Sequence, residues 1–160
     1  MTAHDVVAAL TGRGLTIAVA ESLTGGQLVA ALVDVPGASK VVLGGVVAYN
    51  TALKASILGV DPVLLAEHGA VDAEVARQMA AGVRERLAVG GRPADIGIST
   101  TGVAGPDPQD GKPVGTVFLG LATASGTTTI ELALSGDRAG IRSAVVSESL
   151  IQLTKLISTL

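Results

Sequence analysis

The sequence predicts an α/β fold, a three-layer α/β/α sandwich around a mixed, mostly parallel sheet. Two patterns point to it. Short β-branched runs alternate with helical patterns along most of the chain, which is typical of parallel strands joined by helices. Two further apolar runs then follow each other across Ser125-Gly126, as in a β-hairpin. The length of 160 residues suits one domain over residues 1–160.

The first half of the chain predicts two strands among short helices. Val6, Val7 and Leu10 mark a first helix, which we expect to end near residues 12–14 because glycine stops helices. The elements expected next are a strand over 15–20, a helix over 27–35, a strand over 41–49, and helical turns over 51–58 and 62–67.

The second half contains the clearest helix, over residues 72–89. Asp72 can cap it, and apolar residues recur four apart on one face: Val75, Met79, Val83 and Leu87. The elements expected after it are a strand over 95–101, a polar loop over 103–113, hairpin strands over 114–124 and 127–134, and a last helix over 137–157.

Composition excludes several classes of function. The net charge is −3 without a Lys/Arg cluster, which argues against nucleic acid or an anionic membrane as partner. The absence of cysteine excludes disulfides, thiolate zinc sites and a cysteine nucleophile. No apolar run reaches the ~18 residues of a membrane span, and the start of the chain lacks the basic flank of a signal peptide. We therefore expect a soluble, cytoplasmic protein.

The most informative segment is the turn over residues 20–26, which contains Ser22, Thr24, Gly25 and Gly26. It joins a strand to a helix, and the N–H groups of a helix start favour negative charge. A serine nucleophile there would have an oxyanion site beside it, formed by the N–H groups around Thr24, Gly25 and Gly26. The alternative is a plain helix cap, for which Ser and Thr are common.

A serine nucleophile needs a base, and the histidines offer little. His4 lies near a terminus that we expect to fray, and His68 at a helix end lacks the companion ligands of a metal site. Lysine is the usual substitute base. Lys54 follows a buried strand that ends at Tyr49, so both can face the sheet edge at which Ser22 lies. The alternative is a solvated lysine beside an ordinary strand tyrosine.

Two further motifs fit a ligand site. The turn over residues 100–106, with Thr101, Gly102 and Gly105, can bring its backbone close to a ligand. Arg138 and Arg142 are four residues apart on one face of the last helix, near its start, where positive charge opposes the helix dipole. An anion such as a phosphate would explain them; surface ion pairs with Asp137 or Glu148 are the alternative.

These motifs together closely resemble one family. The matching segments are residues 20–26, the 45–49 strand with Lys54 and residues 58–60, residues 68–71, residues 101–106 with 112–115, and residues 136–138 with Arg142. In this order they are similar to the signatures of the CinA C-terminal domain family. Stand-alone members of that family, of the PncC type, are nicotinamide-nucleotide amidohydrolases.

The resemblance implies hydrolysis of the carboxamide of nicotinamide mononucleotide to nicotinate mononucleotide and ammonia, in pyridine nucleotide salvage. It also implies the three-layer fold, self-association, and a Ser–Lys mechanism without a metal or other cofactor. Carried over by motif, Ser22 is the nucleophile, Lys54 the general base and Tyr49 its supporting hydroxyl. Phosphate binding by Arg138 and Arg142 is inferred from their chemistry alone.

The chain departs from the family pattern in two places. Leu23 stands where the family most often has cysteine, and residues 107–111 replace a more glycine-rich loop. The competing hypothesis is a non-catalytic nucleotide-binding or interaction module, which would be expected to lose the serine or the lysine. A phosphate-binding transferase would need a Walker-type loop or acidic metal ligands, and neither occurs here.

Overall fold

The computed structural model describes residues 1–160 and contains one five-stranded sheet. The strands are β1 (Ile17–Glu21), β2 (Val42–Val47), β3 (Ile96–Gly102), β4 (Thr116–Thr123) and β5 (Gly126–Ala133), and they lie in the order β2-β1-β3-β4-β5. β1 pairs in parallel with β2 and β3, whereas β4 is antiparallel to both of its neighbours. Four of the five strands therefore point in one direction, which confirms the mixed, mostly parallel sheet.

Six helices cover the sheet. They are α1 (Ala3–Arg13), α2 (Gln27–Val33), α3 (Thr51–Ser56), α4 (Pro62–His68), α5 (Ala73–Arg86) and α6 (Arg138–Thr159), with a 3-10 turn over Ala38–Lys40. No helix is both long enough and apolar enough to cross a bilayer.

The three layers follow from the alternation of side chains along the strands. On β1, Ile17 and Val19 face a core shared with α1, α2 and α6, and Ala18 and Ala20 face a second core shared with α5. Both cores are almost purely aliphatic, as expected from a chain with one Tyr and one Phe. The α/β/α sandwich predicted from the sequence is confirmed.

Helix α5 packs unusually close to the sheet. A Cβ atom added to Gly97 on β3 would overlap the carbonyl oxygen of Ala80, and one added to Gly120 on β4 would overlap that of Ala76. Because glycine has no Cβ, the helix backbone rests directly on the two strands.

Some element ends differ from the expected ones. α1 begins at Ala3 because Thr2 and Asp5 form a reciprocal capping box, so His4 lies in an ordered first turn and not in a frayed terminus. The predicted helix over 72–89 is α5, which Asp72 caps as expected and which ends at Arg86. The first hairpin strand starts at Thr116 and not at residue 114, after Gly115 with φ +90°.

The parallel strands β1, β2 and β3 end at the same edge of the sheet. Ser22 follows β1, Lys54 lies on α3 just after β2, and Thr101 lies at the end of β3. This edge is where ligands bind in open α/β sheets.

Candidate active site

The site is built around Ser22 and Lys54. The Nζ atom of Lys54 lies 2.9 Å from the Oγ atom of Ser22, and both side chains are buried, with 1% and 8% of their surface exposed. Helix α3, which Asn50 caps through the N–H of Ala52, brings Lys54 back under the end of β1. The sequence predicted that these residues share a sheet edge; the structure places them in hydrogen-bond contact.

Burial changes the acid–base behaviour of Lys54. It lowers the pKa of Lys54 from 10.5 to about 8, and the negative charge of Asp110 partly opposes this by raising it. Nζ also donates a 2.7 Å hydrogen bond to the carbonyl oxygen of Ala48. In the neutral amine, one N–H can therefore stay on Ala48 while the lone pair accepts the proton of Ser22.

The start of α2 is occupied by the chain's own carboxylate. Glu21 is 1% exposed, and its oxygens accept hydrogen bonds from the N–H groups of Gly26 (3.0 Å), Leu28 (3.0 Å) and Val29 (2.8 Å). The favourable field of the helix N-terminus thus acts on Glu21 and not on a ligand. Sequence analysis missed this role, although an acidic residue just before a helix is a recognisable signal.

The expected oxyanion donors change as a result. The N–H of Gly26 donates to Glu21 and that of Gly25 to the carbonyl oxygen of Ser22, so neither is free to hold a ligand oxygen. The N–H groups of Leu23 and Thr24 donate no hydrogen bond within the chain, and Leu23 lines the cavity. The hydroxyl of Thr24 is buried and lies 2.8 Å from that of Thr100, so it stabilises the turn.

A cavity of about 340 Å³ opens above Ser22 and Lys54, within the size range of small-molecule sites. Of the residues predicted for the site, Ser22, Tyr49, Lys54, Thr101, Gly102, Gly105 and Arg138 line it, and Thr24, Gly25, Gly26 and Arg142 do not. Its other lining residues include Asn50, Thr51, Ala70, Val71, Asp107 and Gln109.

Tyr49 makes no hydrogen bond to Lys54. Its side chain is 60% exposed, and its hydroxyl accepts a 3.0 Å hydrogen bond from Nη2 of Arg138. The supporting contact expected from Tyr49 is instead made by the Ala48 carbonyl, because the chain turns outward after Ala48. A backbone acceptor of this kind leaves no sequence signal.

The two arginines are in different surroundings. Arg138 lines the cavity, where Nη1 donates a 2.7 Å hydrogen bond to the carbonyl oxygen of Gly105. Arg142 lies behind the Ser22 turn, donating from Nε to the carbonyl oxygen of Leu23 (2.8 Å) and from Nη2 to that of Thr24 (3.1 Å). Shared phosphate binding does not fit this placement. Neither arginine makes the surface ion pair considered as the alternative, since no such pair forms with Asp137 or Glu148.

The histidines lie apart from this chemistry. His68 ends α4, and its Nδ1 is 3.5 Å from a carboxylate oxygen of Asp72. No three His, Asp or Glu side chains cluster as metal ligands would.

The family model for the CinA C-terminal domain matches residues 1–157. A CinA-like protein of Frankia casuarinae is 50% identical over 155 residues, which cover 97% of this chain and 35% of that protein. A putative competence-damage inducible protein of Desulforamulus reducens is 48% identical over 141 residues, covering 88% of this chain and 33% of that protein. The chain thus spans about a third of the length of these curated relatives.

Solved structures agree with the sequence comparison. A CinA superfamily protein of Klebsiella pneumoniae has a TM-score of 0.90 and 31% identity, covering 99% of this chain and 96% of that one. The competence/damage inducible protein CihA of Agrobacterium tumefaciens has a TM-score of 0.89 and 35% identity, covering 96% and 92%. The chain belongs to the CinA C-terminal domain family.

Proposed function

We propose that this protein is an amidohydrolase that converts nicotinamide mononucleotide to nicotinate mononucleotide and ammonia through Ser22 and Lys54. The observation that carries the proposal is the 2.9 Å contact between Ser22 Oγ and the buried amine of Lys54 at the base of a cavity. The choice of substrate rests on the resemblance to stand-alone members of the family.

The first half of the reaction forms an acyl-enzyme. Neutral Lys54 takes the proton of Ser22 as Oγ attacks the carboxamide carbon, and the carbonyl oxygen becomes an oxyanion. The N–H of Leu23, directly after the nucleophile, is the candidate donor to that oxygen. Lys54 then returns its proton to the amide nitrogen, the C–N bond breaks, and ammonia leaves.

The second half hydrolyses the ester. Water attacks the acyl carbon while Lys54 accepts one of its protons, and the proton passes to Ser22 Oγ as the ester bond breaks. Nicotinate mononucleotide leaves and the free enzyme is restored. A lysine with a pKa of about 8 suits both proton transfers, because it is near the pH at which the enzyme would work.

The surroundings of the dyad support a substrate with an anionic group. Arg138 is the one cationic side chain besides Lys54 that lines the cavity, and guanidinium binds phosphate bidentately. Its hydrogen-bond partners are the Gly105 carbonyl oxygen and the Tyr49 hydroxyl, and it forms no ion pair. We therefore assign the substrate phosphate to Arg138 alone.

The experiment that tests this function measures ammonia and nicotinate mononucleotide formed from nicotinamide mononucleotide, with and without EDTA. We expect EDTA-insensitive release by the wild type and by Ser125→Ala, whose serine lies on the exposed β4–β5 turn, and none by Ser22→Ala. Binding of the mononucleotide without release would favour the non-catalytic module. Release by Ser22→Ala equal to that of the wild type would refute the nucleophile.

A further inference from the structure

The loop between β3 and β4 contains a small hairpin that forms part of the cavity wall. Gln109 and Lys112 exchange two backbone hydrogen bonds, of 3.1 and 2.8 Å, around Asp110 and Gly111. Gln109 lines the cavity, and Asp110 stands at the tip of the hairpin. The tip of the hairpin lies within residues 107–111, one of the two places where the sequence departs from the pattern of the family that it resembles.

Asp110 has a conformation that the rest of the chain reserves for glycine. Its φ of +51° makes it the only non-glycine residue with positive φ. Its Oδ2 accepts a 2.9 Å hydrogen bond from the N–H of Ala70. A Cβ atom on Gly69 would overlap the Asp110 carboxyl group, so glycine at position 69 permits this approach. Gly111 also has positive φ (+72°), and this pair of conformations is typical of a two-residue hairpin turn, in which Asp-Gly is a favoured sequence; the turn therefore fixes the position of the Asp110 side chain.

Ala70 joins this hairpin to the end of the sheet. Its N–H donates to Asp110, and its carbonyl oxygen accepts a 2.7 Å hydrogen bond from the hydroxyl of Thr101. Ala70, Thr101 and Gln109 all line the cavity. Asp110 therefore lies at the junction of the loop, the turn before α5 and the end of β3.

The charge of Asp110 acts on the buried amine. It raises the pKa of Lys54 against the larger lowering caused by burial. The other titratable or charged groups around the cavity are Tyr49, Asp107 and Arg138, and beyond it His68 and Asp72 pair with each other. Asp110 is the charged group to which the rise in the pKa of Lys54 is due.

We propose that Asp110 is a positioning residue for the amide hydrolysis proposed above, on which this inference rests. Its carboxylate fastens the 103–115 loop to the 69–71 turn as one wall of the cavity, and the hydrogen bond to Ala70 holds its charge at that wall. Two substitutions separate these roles. Asp110→Asn keeps an oxygen that can accept from Ala70 and removes the charge, whereas Asp110→Ala removes both.

The effect of this charge is tested without substrate in an NMR pH titration that follows the Cε resonances of the four lysines. The Lys54→Met variant assigns the resonance of Lys54. We expect the Lys54 midpoint to fall by roughly half a pH unit in Asp110→Asn, the size of a screened charge interaction. Glu131→Gln, which removes one exposed carboxylate on β5, should leave it in place. An unchanged midpoint in Asp110→Asn, or an equal fall in Glu131→Gln, overturns the proposed effect.

The fastening is tested by hydrogen exchange at the Ala70 amide. Protection should persist in Asp110→Asn and fall by about tenfold or more in Asp110→Ala, because the latter opens the loop locally. Full protection in Asp110→Ala would contradict the role. If nicotinamide mononucleotide is hydrolysed, the acid limb of the kcat/KM profile should move with the Lys54 midpoint. Absence of hydrolysis would refute the proposed function and leave both substrate-free measurements to decide on Asp110.

Discussion

Glu21 and Ser22 are adjacent residues whose side chains point to opposite faces of the sheet at the end of β1. The Glu21 carboxylate accepts three N–H bonds at the start of α2, and the Ser22 hydroxyl meets Lys54. Consecutive residues at a strand end point to opposite faces, so one turn both anchors a helix and presents a nucleophile. The anchor holds the backbone from which the serine projects.

Replacing Glu21 should therefore affect both stability and turnover. Glu21→Gln keeps one acceptor oxygen but turns an NH₂ group toward backbone N–H donors and removes the charge at the helix start. We expect a loss of about 1–3 kcal/mol in unfolding free energy, measured by urea denaturation, and a lower kcat. Glu148→Gln, on α6 and away from the cavity, is the matched control. Stability of Glu21→Gln equal to that of the wild type would show that the carboxylate is dispensable.

The pH dependence of the reaction should report Lys54. Because its pKa is lowered to about 8, kcat/KM should rise tenfold per pH unit below that value and level off above it. Lys54→Arg should be nearly inactive at every pH, since arginine cannot release its proton in this range. Lys155→Arg on α6 should behave as the wild type. Substantial activity of Lys54→Arg with an unchanged profile would exclude this base.

Lys54 should also link stability to pH. Its pKa of about 8 in the folded chain lies below the ordinary 10.5, so the unfolded chain binds the extra proton between these values. Wild-type stability should then rise, relative to that of Lys54→Met, as the pH increases from 8 to 10.5, by on the order of 3 kcal/mol. Below pH 8 the difference between the two proteins should be constant. A stability difference that does not vary with pH would mean that burial does not lower the pKa of Lys54.

The two arginines should give distinct phenotypes. Arg138→Ala should raise KM for the mononucleotide far more than for the riboside, because only the former carries a phosphate. Arg142→Ala should lower the stability of the protein, and it should lower kcat equally for both substrates. The reason is that it loses two hydrogen bonds to the Ser22 turn. Steady-state kinetics on both substrates tests this. Equal effects of the two substitutions on KM, kcat and stability would show that the two arginines have the same role.

Tyr49→Phe should be mild. The change removes the acceptor for Arg138 and leaves the Lys54–Ala48 contact intact, so kcat should stay within a few fold while KM changes. The pH profile should not move. A shifted acid limb in this variant would restore the direct role of Tyr49 that the sequence had suggested.

The predictable part of the site depends on topology. Ser22 and Lys54 each follow a strand with a clear apolar pattern, and parallel strands end at one edge, so their proximity could be inferred. The partners of Tyr49 could not, because they depend on how the chain turns after Ala48. The surroundings of Arg142 could not be predicted for a similar reason. Helical spacing puts Arg142 on one face with Arg138 but does not indicate which carbonyl groups lie beside each guanidinium. The Asp110-Gly111 pair is typical of a hairpin turn, but nothing in the sequence indicated that the Asp110 carboxylate would accept a hydrogen bond from Ala70.

The glycines under α5 have an effect on the cavity, which they do not touch. Ala70 and Val71 enter the cavity just before α5, and Thr101 enters it at the end of β3. Gly97 and Gly120 let the carbonyl groups of Ala80 and Ala76 approach the strands, and the Ser99 hydroxyl donates a 2.6 Å hydrogen bond to that of Ala76, so the helix backbone helps to set the separation of these two walls. We expect a methyl group at position 97 or 120 to push α5 away from the strands and so to change the width available to a substrate.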